Sequence, residues 1–186
     1  DKSTTLSKEE SDKLTEFNNS NKGILLEHYV NSGDIETIRL LLKHYPACVD
    51  TYNTDYFGET PLFNATESKN FEISKLLLEN GANVDAANFE DGTTSLMNSS
   101  YNNDIKTTKL LLESNANPNL GNKYGDTALH MACRQGYLEI VKLLLEHNAN
   151  LDIENRFVGA NTPLKLAERE RHEEIVALLK EKIDVN

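Results

Sequence analysis

The sequence predicts an all-α solenoid: helix-turn-helix units stacked in a row, with short β-hairpin-like loop tips between them. Three observations predict it. Leucine triplets stand at Leu40-Leu41-Leu42, Leu76-Leu77-Leu78, Leu110-Leu111-Leu112 and Leu143-Leu144-Leu145, and Leu178-Leu179-Lys180 closes the series, at offsets of 36, 34, 33 and 35. A second marker keeps step: Thr60-Pro61-Leu62, Thr94-Ser95-Leu96, Thr127-Ala128-Leu129 and Thr162-Pro163-Leu164, each Thr lying 16 positions before its triplet. Within the units the apolar residues fall at helical spacing, as in Phe71, Ile73, Leu76 and Leu77, or Leu138, Ile140, Val141, Leu143 and Leu144. Two independent markers sharing a period of this length are the signature of a repeat array, in which each unit buries its apolar stripe against its neighbours.

The elements follow in order. Ser7-Lys8-Glu9-Glu10 has the form of a capping box, and Leu14 and Phe17 fall on one face of the short helix it opens. Residues 1–22 are therefore expected to form an N-terminal capping helix and a break, the break being Asn-Asn-Ser-Asn-Lys at 18–22. Residues 23–186 divide into five repeats, at about 23–56, 57–90, 91–123, 124–156 and 157–186. The first lacks the Thr opening but keeps Gly33-Asp34-Ile35-Glu36 before its triplet. In the others the Thr is an N-cap, and Pro61 and Pro163 suit the first helical position because the donor they lack has no intrahelical partner there. Ala65, Ser99, Ala132 and Ala167, five positions after each Thr, are small where paired helices approach closely.

Gly81, Asn115 and Asn148 occupy the helix-ending position, where a left-handed residue is expected. From Asn115 to Gly125 is 10 positions but from Tyr45 to Gly58 is 13, so the loop around Thr51 to Tyr56 is about three residues longer. Gly159-Ala160-Asn161-Thr162 also holds one extra residue. The third repeat keeps the pattern least well, with Ser95 in the place of Pro, Ser99 and Ser100 in its first helix and Thr107-Thr108 where its neighbours have apolar residues, and the last carries the charged run Glu168 to Glu174 of a terminal unit facing water.

The segments Gly125-Asp126-Thr127-Ala128-Leu129-His130-Met131-Ala132 and Gly136-Tyr137-Leu138-Glu139-Ile140-Val141-Lys142-Leu143-Leu144-Leu145 closely resemble the ankyrin repeat. Residues 58–84 match almost as well, and the resemblance covers about residues 23–182. It implies an ankyrin-repeat solenoid that binds another protein through its concave face and loop tips. It also implies that the His of the motif bonds backbone near the turn. Only His130 keeps that His, with Phe63, Met97 and Lys165 in the equivalent places.

Composition excludes several classes. Hydrophobic residues make up 38% and charged residues 26%, which fits a soluble globular chain, and no apolar run is long enough to span a membrane. A net charge of −11 argues against nucleic acid as a partner. Most of the acidity lies in residues 1–90, where it solvates the surface or steers a basic partner. Two cysteines, Cys48 and Cys133, are too few for a disulfide framework. Asn occurs 22 times and Gln once, a bias read as genomic rather than functional.

No Gly-rich phosphate loop occurs. His130 and Cys133 stand three apart, but no second pair completes a zinc site, so no metal and no cofactor are expected. Glu9-Glu10 and Glu173-Glu174 read as solvated surface, and no Ser or Cys has the context of a nucleophile, so the chain is read as no enzyme. The alternative is the targeting portion of a larger effector or enzyme whose catalytic part lies outside this chain. Residue 1 is Asp, so the natural start is expected upstream. A cytoplasmic location is favoured, with secreted or periplasmic ones left open, and a monomer is expected.

Carried over position by position, the resemblance places partner contacts at the tips and at the exposed ends of the first helices. The tips offer Tyr56, Phe57, Glu59, Glu90, Asp91, Lys123, Tyr124, Asp126, Arg156 and Phe157. The helix ends offer Glu67 and Ser68, Tyr101 and Asn102, Arg134 and Gln135, then Arg169 and Glu170. These positions vary from repeat to repeat while the Thr and Leu positions barely change, and Tyr, Phe and Arg are enriched at interface hot spots. Tyr101 and Arg134 are the strongest single candidates, each expected to be removable with folding nearly unchanged.

Overall fold

The computed structural model describes residues 7–19, 22–53, 57–157, 159 and 161–185, with the backbone alone for 17–19, 22–24 and 185. These residues form α-helices and a 3-10 helix, in two compact units, residues 1–83 and 84–186. Among the described residues the only extended pairing is an isolated antiparallel bridge between Ala87 and Thr94, so the tips are closed turns rather than strands.

In the first unit α1 (Lys8–Asn19) opens on a reciprocal capping box, the Ser7 N–H donating to Glu10 Oε2 at 2.6 Å and the Glu10 N–H to Ser7 Oγ at 3.1 Å. It packs on α3 (Ile35–His44), burying Leu14, while Lys13 Nζ donates to Thr37 Oγ1 at 3.0 Å and lies 3.8 Å from Asp34. Asp34 is the N-cap of α3, and the bonds it accepts from the Thr37 hydroxyl and N–H, with Lys13 nearby, hold its carboxyl below the usual range. The Phe17 side chain lies outside the described residues. Of the break expected at 18–22, Asn18 and Asn19 belong to α1 and Lys22 opens α2 (Lys22–Ser32), and residues 20–21 lie outside the described residues. Ahead of the long loop expected at Thr51 to Tyr56, Pro46–Asp50 winds into a 3-10 helix that buries Cys48 and Val49, and residues 54–56 of that loop lie outside the described residues. The hairpin of α4 (Pro61–Glu67) and α5 (Phe71–Glu79) follows, α4 against α2 and α5 against α3.

The second unit repeats the hairpin three times, as α6 (Ser95–Tyr101) with α7 (Ile105–Glu113), α8 (Ala128–Gln135) with α9 (Leu138–Glu146), and α10 (Pro163–Arg169) with α11 (Glu173–Val185). First helices pack on first helices and second on second. Thr94, Thr127 and Thr162 cap the first helices, each side chain accepting from the N–H three residues on. Ser99, Ala132 and Ala167 of the first helices are fully buried, as are Leu111, Leu129, Ile140, Val141, Leu144 and Leu179. Burying each large apolar side chain contributes about 1.5–3 kcal/mol.

Gly81, Asn115 and Asn148 are left-handed, at φ +86°, +65° and +62°. A second left-handed series joins the helices of each pair, and there Lys69 and Arg171, at φ +53° and +62°, stand where other pairs have Gly33 and Gly136. Side chains stitch one finger to the next: Asp85 Oδ1 accepts from the Asn117 N–H at 2.9 Å and Asn119 Oδ1 from the Asn150 N–H at 2.7 Å. Within the first unit Asp50 does the same for Asn83 at 2.8 Å.

Candidate functional site

The tips are shaped by a buried asparagine. Asn53, Asn88, Asn122 and Asn155 occupy the same place in four successive tips. Asn88 Oδ1 accepts from the N–H groups of Asp91 and Thr93, and Asn122 Oδ1 from those of Tyr124 and Asp126, both at 3.0 Å. Asn155 Oδ1 takes the Asn161 N–H at 3.1 Å, and Asn53 donates to the Glu27 carboxylate. An Asn side chain folds backbone into a turn in this way. The abundance of Asn therefore has structural content at these positions. The spacing of the four, 35, 34 and 33, was the signal that could have revealed it.

In the second unit the tips of neighbouring fingers are joined by backbone bonds, Lys123 N–H to Asp91 O at 2.7 Å and Arg156 N–H to Tyr124 O at 2.6 Å. This brings Tyr124 and Phe157 face to face, ring centroids 5.5 Å apart and planes 16° from parallel. Lys123 Nζ lies 5.0 Å from the Tyr124 ring and the Arg134 guanidinium 5.9 Å from the Phe157 ring. Stacking and cation–π attraction each contribute about 0.5–1.5 kcal/mol at such sites. The two rings stay 41% and 47% exposed, and Tyr101, on the end of α6, is 51% exposed.

Asp126 differs from the expectation. Its side chain is 4% exposed and committed inward, accepting from Arg134 Nη2 at 2.8 Å and from Asn155 Nδ2 at 2.8 Å. Asn122 Oδ1 accepts from its backbone N–H, while Arg134 and Asn155 hold the carboxylate inward. Arg134 is consequently not the freely removable helix end expected, since it is the counter-ion of a buried carboxylate.

The remaining candidates are placed as follows. Phe57, Glu67, Glu90, Lys123, Arg156 and Arg169 are exposed, and Glu59, Asp91, Asn102 and Gln135 are half-buried. Asn102 donates to Asn98 Oδ1 at 2.5 Å, and Arg169 pairs with Glu170 at 2.9 Å. Tyr56 lies outside the described residues. Phe57, Glu59 and Glu67 belong to the first unit and the others just named to the second.

His130 ties the start of α8 to the tip of the fifth repeat. Its Nδ1 accepts from the Thr127 N–H at 3.2 Å and its Nε2 donates to Asn161 O, 31 residues away, at 3.0 Å. Burial pushes its pKa below the ordinary 6.5, against the opposing effect of that bond. Cys133 is fully buried and its thiol is pushed up to about 12, far from a reactive thiolate. Among the described residues no three His, Cys, Asp or Glu side chains gather as metal donors, and no helix is long and apolar enough to cross a membrane.

A family model described as ankyrin repeats (3 copies) matches residues 6–88, 26–122 and 96–186, so that together the matches span nearly the whole chain. No curated protein matches the sequence.

Proposed function

Because the chain belongs to the ankyrin-repeat family, whose repeats are in general protein–protein interaction modules, we propose that it is a non-catalytic module binding a partner protein through its loop tips and first-helix ends. The observation that carries this reading is the contrast between two sets of positions. Most of the Thr and Leu positions that recur are buried and spent on packing, while Tyr101, Tyr124 and Phe157 stand about half exposed. Aromatics that keep about half of their surface exposed are the residues from which interface hot spots are built.

The experiment is affinity capture from the source cell followed by calorimetric titration of the identified partner. Tyr101→Ala is expected to weaken binding by roughly 1–3 kcal/mol with the thermal midpoint unchanged. Wild-type affinity in that variant, with loss instead from Lys109→Ala or Lys142→Ala on the second helices, would overturn the reading.

A further inference from the structure

Building on that reading, we infer that the surface formed by Lys123, Tyr124, Arg134, Arg156 and Phe157 accepts an acidic, extended segment of the partner. The chain as a whole is strongly acidic, at −11, which by itself favours a basic partner. The local arrangement reverses this. Lys123, Tyr124, Phe157 and Arg134 follow one another as cation, ring, ring and cation, and Arg156 is tied beside them by its Nη1 bond to Lys123 O at 3.3 Å. The carboxylate built into this cluster, Asp126, is buried and already paired, so it neutralises part of Arg134 and leaves Lys123 and Arg156 facing solvent. Stacked rings expose their edges, and an aromatic edge carries partial positive charge. Cations and ring edges together suit carboxylates alternating with apolar side chains.

The adjoining tip is acidic at Glu90 and Asp91, and Lys123 Nζ donates to Glu90 O at 3.1 Å. An acidic segment is therefore repelled on that side and drawn toward Arg156, which sets its register. Elsewhere the surplus of negative charge disfavours it, so the cluster supplies specificity as well as attraction.

The test is selection of a random dodecapeptide phage library against the whole chain, then against the double variant Lys123→Glu, Arg156→Glu and against Phe157→Ala, each first shown to melt as the wild type. The expected result is enrichment of net-negative peptides carrying an apolar residue, with affinity reduced roughly tenfold or more in both variants and by added salt. Basic or neutral peptides whose capture still depends on Phe157 would overturn the acidic occupant and leave the tips as the binding face. Peptides indifferent to both variants, or no enrichment at all, would overturn the occupant and the surface together.

Discussion

At position 136 a side chain has nowhere to go. Gly136 sits at φ +81°, and a Cβ built there would lie 2.5 Å from the ring of His172, whose Nε2 in turn donates to Arg134 O at 3.2 Å. Gly81 has a similar φ of +86° but open space around it. Gly81→Ala is thus expected to cost about 1–2 kcal/mol, the strain of a left-handed alanine, and Gly136→Ala distinctly more because His172 must move. Denaturant titration of the two variants checks the order. His130 gives the second prediction at this scale. With its folded pKa below 6.5, the unfolded chain takes up a proton first as pH falls, so its contribution is complete above about pH 6.5 and is lost as pH drops through the folded value. Calorimetric midpoints between pH 7 and 5 should fall in the wild type, and fall less steeply in His130→Gln even though that variant starts lower.

At the scale of the element, α7 contains a local misfit. Thr107 stands where three of the other repeats carry Ile73, Ile140 and Ile175 and the first carries Thr37, whose hydroxyl donates to Asp34; Thr107 is fully buried with its hydroxyl unpaired. Thr108 at least donates to Ser99 Oγ at 3.0 Å, but Ser95 and Ser100 of α6 are also buried and unpaired. A buried hydroxyl without a partner costs about 1–3 kcal/mol relative to an apolar group of the same shape. Thr107→Val keeps the shape and removes the misfit, so it should raise stability by about 1 kcal/mol. A loss of stability on thermal or urea unfolding would show that the hydroxyl has a partner after all. The helix persists despite this because its N-cap Asp104, its apolar Leu111 and Leu112 and its neighbours α6 and α9 supply what Thr107 does not.

At the scale of the molecule, stability in a repeat array approximates a sum of repeat and interface contributions, so a weak repeat opens before the rest. Amides of residues 105–112 should exchange faster under native conditions than those of 138–145, where α9 buries Ile140, Val141 and Leu144 instead of two threonines. Equal protection would sink this. The helices, their order, their Thr and capping-box starts and the left-handed Gly81, Asn115 and Asn148 could all be read from the residues themselves. Caps, turns and the 3.6-residue apolar period are settled by groups a few positions apart. What stayed hidden depends on residues about thirty or more positions apart. These are the bond from Asn155 that holds Asp126 inward, the stack of Tyr124 on Phe157, and the claim of His172 on the space at Gly136. The left-handed turns at Lys69 and Arg171 were equally silent, since neither residue type signals that conformation. The sequence alone therefore determined the repeat and its helices. Only the tertiary structure decided which polar side chains are consumed in joining one finger to the next and which aromatics remain at the surface, because that follows from how closely neighbouring tips approach.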